Sequence, residues 1–498
     1  MYSIRKTLIS ILLIVFSHAL SAQVQWTYST NPALMMDTTV QWASYGQPSC
    51  ILKNDTLKMW YAVAIGTDQF DLYAKGRIHY AWSLDGANWN KYSSNPVLDT
   101  AGIGQWDGQW LDTPEILWDG NEYKLYYWGD SLYPVNTWNS AIGLATSPDG
   151  IHWTRQGKVL VHGEFTGFDG YFVESPALYY DTLSGVYAML YMGVSTSSLG
   201  RVGLAVSPDG YTWYKDPANP ALDTSSTNYW EEKIAGAPAV IETKGVFEMF
   251  YSGACENFKR DSAKVGYALS LNGSDWIRYP GNPILETLPG DAMGFWAVDV
   301  VWHPGFNEYM MWFEDTLKYG ANAIYFATAP RTVLFSPSCI TSVSPDTSIV
   351  SGNSVQLTAA GGSFYQWSPA TGLNNPNIAN PIATPTVTTT YRVLNVSNSC
   401  ITVDTVTVTV LPVGVKELTK EAKEMKLYPN PSSENIIVEL KTEQNEDYDL
   451  TVNNVLGEIV LKRKVQKTER TISLDVSDLP AGLYFVKFQN FSGKFVKQ

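Results

Sequence analysis

Short apolar runs rich in aromatic residues alternate with polar turns along the first two thirds of the chain, and the pattern recurs about every sixty residues. The most regular part of each copy is an Asp-Gly or Asn-Gly pair followed by a tryptophan. The four copies are SLDGANW (83–89), SPDGIHW (147–153), SPDGYTW (207–213) and SLNGSDW (270–276). Because these pairs favour the positive φ angles of tight turns, each copy predicts a β-hairpin.

Two further motifs flank the hairpins. Apolar strands precede them in LYYWG (125–129), MLYMG (189–193), MFYSG (249–253) and a looser version, MMWFE (310–314). An Asn-Pro motif follows them in NPVL (95–98), NPAL (219–222) and NPIL (282–285). One repeat therefore contains four short strands joined by turns, which is the unit of a β-propeller blade.

The two ends of the repeat region are complementary. The fifth repeat stops at AIYFATAP (323–330) without a hairpin tryptophan, whereas WTYSTNPAL (26–34) resembles WNKYSSNPVL (89–98), a segment from the end of a blade. The N-terminal segment is therefore predicted to complete the last blade, which would close the ring and remove its exposed edges. The sequence predicts an all-β fold with a five-bladed propeller over residues 24–335.

Four prolines mark the first strand of each of the first four blades: Pro48, Pro114, Pro176 and Pro238. Proline donates no ladder hydrogen bond, so it suits the edge strand that faces the central channel. Two carboxylates precede these prolines, Asp112 in WLDTPEIL and Glu174 in FVESPALY. We expect both to line the channel mouth. In the fifth repeat, FWAVDVVWH, Asp299 is predicted to occupy the proline position.

Charge and composition narrow the partners. The chain has 498 residues, of which 34 are Lys or Arg and 48 are Asp or Glu, for a net charge of −14. This charge argues against nucleic acid or anionic lipid as the main partner, because both need a basic surface. A neutral polymer such as polysaccharide fits the charge at least as well. Residues 1–22 are typical of a signal peptide. No later apolar run reaches the ~18 residues of a membrane span, so we expect an exported, soluble monomer.

The proline motifs resemble those of the five-bladed propeller glycoside hydrolases, the superfamily of arabinanases, β-xylosidases and invertases. Glu174-Ser175-Pro176 is similar to the Glu-x-Pro of their third blade, which implies that Glu174 is the general acid. Asp112 matches the second-blade aspartate that tunes its pKa. The first blade reads Gly46-Gln47-Pro48 and lacks the family's aspartate. Asp299 is therefore the nominated base, and Asp112 itself is the alternative base.

Six further residues are candidates for substrate binding. Gln47, Trp110, Trp138, Arg201, Trp230 and Trp296 are predicted to contact sugar by stacking or hydrogen bonding. Structural interpretations stand beside these: Asp107 and Asp169 are favoured as turn residues. Arg77, Arg201 and Lys264 begin equivalent strands and are favoured as solvated strand ends. No cofactor or metal-binding motif is evident, and a structural calcium ion in the channel is left open.

Two modules follow the propeller. Alternating β-branched residues over 336–412 predict an Ig-like or PKD-like β-sandwich, and matching CIT triplets predict a disulfide between Cys339 and Cys400. Cys50 and Cys255 are interpreted as thiols. After a charged linker (413–426), residues 427–498 resemble a type IX secretion C-terminal sorting domain in LYPNPSSENIIVEL, VNNVLGEIV and DLPAGLYFVKF. This resemblance implies delivery to the cell surface or release by the type IX machinery.

Two functions compete with a hydrolase. Because the first blade lacks a carboxylate, the ring could be a non-catalytic propeller that binds glycan. A protein-interaction scaffold is the third alternative.

Overall fold

The chain is almost entirely β-structure. The computed structural model describes residues 26–29, 31–35, 42–66, 74–131, 140–181, 185–255, 263–286, 295–316, 322–331, 341–398, 400–411, 425–440, 446–488 and 491–498. Within these ranges a 3-10 turn spans Tyr229–Glu231, and no helix has the length and apolar character of a membrane span. The predicted signal peptide and Trp138 lie outside the described residues.

Five antiparallel blades are arranged in sequence order, which confirms the predicted all-β propeller. Blade 1 contains Trp42–Lys53, Thr56–Gly66, Lys75–Ser83 and Asn90–Lys91. Blade 2 contains Trp110–Trp118, Tyr123–Asp130, Ala141–Ser147 and Thr154–Val161. Blade 3 contains Phe172–Asp181, Val186–Val194, Gly200–Ser207 and Tyr214–Lys215. Blade 4 contains Ile234–Thr243, Val246–Ala254, Lys264–Ser270 and Ile277–Arg278. Blade 5 contains Trp296–His303, Glu308–Thr316, Asn322–Pro330 and, from the start of the chain, Thr27–Tyr28.

The N-terminal strand belongs to the last blade. Thr27 pairs with Thr328, Tyr28 pairs with Ala327, and Leu34 forms a further bridge to Ile324. Trp26 is buried in a cluster shared by blades 4 and 5. The first described residues of the propeller thus form the outer edge of its last sheet.

The hairpin turns join neighbouring blades at four of the five interfaces. The carbonyl oxygens of the turn glycines accept hydrogen bonds from an aromatic side chain of the preceding blade: Trp312 to Gly86, Trp60 to Gly150, Tyr126 to Gly210 and Tyr179 to Gly273, over 2.7–3.2 Å. Each of these glycines has a positive φ, and the same ring packs where a side chain would be. The repeated Asp-Gly signal is therefore structural, and it lies at the blade interfaces.

All five innermost strands bulge at the same place. The ladder is interrupted between Gly46 and Ser49, Asp112 and Glu115, Glu174 and Ala177, Gly236 and Ala239, and Trp296 and Asp299. In each bulge the first of the two unpaired residues has a positive φ, between 43° and 51°. The second is proline in blades 1 to 4. Because proline cannot donate to the ladder, it fits this unpaired position and helps to fix the bulge there.

Residues 341–411 form a small β-module that packs on the propeller. Its main sheet orders Thr347–Val350, Cys400–Leu411, Thr389–Ser397 and Phe364–Ser368, and short pairs join Ser342–Val343 to Ala359–Ala360 and Val355–Gln356 to Ile382–Ala383. Leu394, Val396 and Ile401 are buried in one cluster with apolar residues of blades 4 and 5. The Arg392 guanidinium also donates to the carbonyl oxygens of Lys244 and Gly245.

The C-terminal unit is separate and begins after Pro412. One sheet orders Met425–Tyr428, Asn435–Leu440 and Thr471–Asp475, and the other orders Ile459–Val465, Tyr448–Asn453, Gly482–Phe488 and Phe491–Lys497. The two sheets share one apolar core. Its first strand starts at Met425.

Candidate active site

The bulges create a ring of five equivalent positions around the channel. These are the last paired residues before each bulge: Gly46, Asp112, Glu174, Gly236 and Trp296. We call this set the upper ring. The two carboxylates singled out from the sequence occupy adjacent places in it, one from blade 2 and one from blade 3, and both side chains are half-buried.

Asp112 is held by its own strand. Its Oδ2 accepts a 3.2 Å hydrogen bond from Trp110 Nε1, and its Oδ1 accepts the backbone N–H of Thr113 over 2.9 Å. Trp110 packs against Gly76 of blade 1, where a Cβ would lie 3.0 Å from the indole ring. The Thr113 hydroxyl then accepts the N–H of Ser175 over 3.2 Å. The bulges that carry Asp112 and Glu174 are thus directly bonded to each other.

The upper ring has an apolar member in blade 5. Trp296, predicted to bind substrate, takes the position equivalent to Asp112 and Glu174, but its side chain is 5% exposed. It belongs to an apolar cluster with Met192 and Ile234. Packing between blades accounts for its burial.

A second pair of carboxyl groups lies on the far side of the bulges. Glu115 and Asp299 both line a channel cavity of about 30 Å³, together with Gln47 and the four prolines. Among the described residues that line it, neither Asp112 nor Glu174 is included. A cavity of this size holds one or two waters. It is too small for a sugar ring.

The sequence prediction for Asp299 was therefore wrong in register. Ala297 has the positive φ of the first bulge residue, and Val298 takes the place of proline. Asp299 is the next residue, equivalent to Ser49 in blade 1 and Glu115 in blade 2. Asp299 lines the same cavity as the four prolines, whereas Asp112 and Glu174 are not among the described residues that line it.

Burial sets the electrostatics of this lower pair. It raises the pKa of both Glu115 and Asp299, and the neighbouring charge of Asp299 raises the pKa of Glu115 further. The Cys50 N–H donates to Asp299 Oδ2 over 2.5 Å, and the Leu178 N–H donates to Glu115 Oε1 over 3.0 Å. Through these donors the two carboxyl groups link the innermost strands of adjacent blades.

A third carboxylate reaches the upper ring from a second strand. Glu314 of blade 5 is in register with Trp296, and its side chain is 3% exposed. It lies directly against Gly46: a Cβ built on that glycine would overlap the carboxylate, with Cδ of Glu314 at 2.6 Å. A carboxyl group therefore occupies the space beside the first-blade position, although the first blade itself supplies none.

Trp230 has a structural position. It stacks on Tyr251 with ring centroids 5.9 Å apart and fills the space above Gly253 and Gly266. Trp106 and Phe168 pack on the corresponding tyrosines of blades 2 and 3. Repetition in three blades indicates a packing role, which argues against the predicted contact with sugar.

The carboxylates next to these rings are also structural. Asp107, Asp169 and Glu231 are buried. Each accepts a hydrogen bond of 2.8–3.1 Å from a tyrosine hydroxyl of its own blade, donated by Tyr127, Tyr191 and Tyr251, respectively. Each also pairs with a cation of its blade's outer strand: Arg155, Lys215 and Arg278, respectively. The structural interpretation of Asp107 and Asp169 fits these networks.

Arg201 belongs to another repeated pair. It lies 2.9 Å from Asp223, as Arg77 lies 2.7 Å from Asp99 and Lys264 lies 3.5 Å from Glu286. Each acid directly follows an Asn-Pro-x-Leu motif. This arrangement ties the third strand of each blade to the segment after its outer strand, and it gives no support to Arg201 as a substrate ligand.

The remaining predictions concern metals and thiols. Among the described residues, no group of three or more His, Cys, Asp or Glu side chains could hold a metal ion. Cys50 and Cys255 are free thiols. Cys400 is disulfide-bonded, and Cys339, its predicted partner, lies outside the described residues.

For three acidic residues near the channel or in the blade networks, the sequence predicted no role. Glu115 directly follows Pro114 and belongs to none of the repeated motifs. Glu231 is the fourth-blade counterpart of Asp107, but its motif reads YWEE where the others read Trp-Asp-Gly or Phe-Asp-Gly. Glu314 ends the MMWFE run. Glu314 pairs with Trp296 of the upper ring, so it corresponds to Trp128 of blade 2. The alignment of MMWFE with LYYWG had matched it with Gly129, one residue further on.

Comparison with solved structures places the fold among propellers. The chain is similar to the protein of a BT0996–RGII complex, with a TM-score of 0.51, 20% identity, and coverage of 62% of this chain and 93% of the other protein. It is similar to a protein described as a glycoside hydrolase with the same four values. A comparison with curated proteins found no match.

The C-terminal unit has a family assignment of its own. Residues 426–498 match the family of secretion system C-terminal sorting domains. The protein is therefore exported to the cell surface or beyond.

Proposed function

We propose that the protein is a secreted or cell-surface glycoside hydrolase that cleaves a poly- or oligosaccharide at the upper ring of its propeller. The observation that carries this proposal is the placement of Asp112 and Glu174 at equivalent positions of consecutive blades. Hydrolysis of a glycosidic bond uses one carboxyl group as acid and another as base or nucleophile. The fold similarity to a glycoside hydrolase agrees with this, and the acidic chain suits a neutral substrate.

Glu174 is the proposed general acid. It would protonate the glycosidic oxygen as the bond to the anomeric carbon breaks. Asp112 is held in place because Trp110 and the Thr113 amide both donate hydrogen bonds to its carboxylate oxygens. Its charge would orient the substrate and set the protonation of Glu174.

Asp299 is not retained as the base. The narrow cavity that it lines has room for water alone. Gln47 lines the same cavity, so a direct contact with sugar is not proposed for it either.

A non-catalytic glycan-binding propeller is the second candidate. It is favoured by one observation: the first blade presents Gly46 at the ring position where blades 2 and 3 carry acids. Such a protein would bind sugar at the mouth without cleaving it.

Product release from a panel of arabinan, xylan, fructan and mannoside separates the two. We expect wild type to cleave at least one substrate and Glu174→Gln to lose ~10²–10⁴-fold in kcat. Asp181→Asn, at the other end of the same strand, is the matched control and should keep wild-type activity. Glycan binding without cleavage by wild type would establish the binder and refute the hydrolase.

A further inference from the structure

A glycine is needed at position 46 because the Glu314 side chain leaves no room for a Cβ there, and the backbone conformation of Gly46 imposes no such need. Its φ lies outside the left-handed region, so any residue could adopt this conformation. The three atoms nearest to a Cβ at this position all belong to the Glu314 side chain. A residue larger than glycine would displace that carboxylate, whose side chain is almost fully buried.

The same relationship recurs elsewhere in the ring with an apolar residue. Met192 of blade 3 is in register with Glu174, as Glu314 is with Trp296. Its side chain fills the space at Gly236 of the next blade, where a Cβ would lie 2.6 Å from Sδ and 2.8 Å from Cγ. At both interfaces, a side chain from the second strand of one blade fills the space beside the upper-ring glycine of the following blade. That side chain therefore determines which chemical group lies at this position of the ring.

At the interface between blades 5 and 1, that residue is acidic. The ring therefore has carboxyl groups at three consecutive blade positions: Glu314 beside Gly46, then Asp112, then Glu174. We infer that Glu314 is the second catalytic carboxylate, supplied from blade 5 in place of a first-blade residue. This inference rests on the proposed hydrolase function.

The proposed step balances with water alone. Glu314 takes a proton from a water molecule as the water oxygen bonds to the anomeric carbon. Glu174 gives its proton to the departing glycosidic oxygen as the old carbon–oxygen bond breaks. The products are two hydroxyl-bearing sugars. Glu314 is left protonated and Glu174 ionised, and exchange of one proton with solvent restores both.

The inference is tested by removing the carboxylate of Glu314 in blade 5 and introducing one at position 46 in blade 1. Glu314→Gln and Glu314→Ala should each lower kcat by ~10²-fold or more. In the double variant Gly46→Asp/Glu314→Ala the overlap is gone and a carboxylate returns from blade 1. We expect it to recover at least tenfold over Glu314→Ala. The acidic limb of its pH–rate profile should also move, because the base is then a different acid, and a merely structural role would not produce this shift.

Asp315→Asn is the matched control, because it removes the adjacent buried carboxyl group of the same strand. It should keep wild-type kcat, and thermal unfolding should show that every variant is folded. Glu314→Gln with activity within threefold of wild type, or a double variant no better than Glu314→Ala, would overturn the inference. If Glu174→Gln is inactive while Glu314→Gln is active, only this assignment fails. Absence of cleavage by wild type would instead refute the proposed function on which it rests.

Discussion

The Ser49 hydroxyl donates a 2.9 Å hydrogen bond to Oε2 of Glu115, which joins the innermost strands of blades 1 and 2 just beyond their bulges. The same hydroxyl accepts the N–H of Ile116 over 3.0 Å. Glu115 Oε1 accepts the Leu178 N–H of blade 3. One carboxyl group therefore connects three blades, and its protonation should affect the stability of the ring.

Stability is predicted to fall as the pH rises above the ordinary range of carboxyl groups. Burial raises the pKa of Glu115 and Asp299 in the folded state, so the native protein holds protons that the unfolded chain releases above about pH 4. Their stabilising contribution is complete below that pH and is lost as the pH rises toward their raised folded pKa values. Glu115→Gln should flatten this slope.

Urea unfolding at a series of pH values between 4 and 8 measures the effect. Asp55→Asn, in an exposed turn, is the control and should leave the slope as in wild type. An unchanged slope in Glu115→Gln would show that this carboxyl group titrates normally.

The Glu231 network should contribute to stability without affecting catalysis. Glu231 is fully buried and accepts hydrogen bonds from Tyr251 and Arg278. Glu231→Gln should lower the free energy of unfolding by about 1–3 kcal/mol, because it weakens a buried charge-assisted network. Denaturation and kcat measured on the same preparation decide the matter. A loss of kcat with no loss of stability would instead give Glu231 a catalytic role.

The module at 341–411 is predicted to stabilise the propeller through one face of its main sheet. Leu394 packs in the propeller cluster, whereas its neighbour Val393 packs in the module's own core. Leu394→Ala should cost about 2–5 kcal/mol and lower the unfolding temperature of the propeller, followed by tryptophan fluorescence. Val393→Ala is the matched control and should affect the module first. If both variants leave the propeller transition unchanged, the two parts are energetically independent.

Export should depend on the C-terminal unit. A chain that ends at Pro412, where the compact unit ends, should accumulate inside the cell envelope of a host that has the type IX system. Glu174→Gln with its sorting domain intact should reach the surface or medium. Fractionation and immunoblotting distinguish these outcomes, and equal secretion of the truncated chain would contradict the assignment.

The sequence predicted what local chemistry determines. The Asp-Gly or Asn-Gly turns and the prolines of the innermost strands were enough to locate four of the five blades in the sequence. The spacing of Asp112 and Glu174 from those prolines predicted their positions at the channel. The fifth blade was misaligned by one residue because Val298 replaces proline and still forms the bulge. Glu314 was missed for a different reason: its side chain meets Gly46 across 268 residues of chain, and only the closed ring brings them together.

If Glu174 protonates the leaving group, the effect of replacing Glu174 must depend on how readily that group departs without a proton. Aryl glycosides of the sugar released in the panel should be compared in wild type and Glu174→Gln. For a poor leaving group such as phenol, we expect Glu174→Gln to lose ~10²–10⁴-fold in kcat/KM. For dinitrophenol, which departs without protonation, we expect little loss. An equal loss for both would contradict an acid role for Glu174.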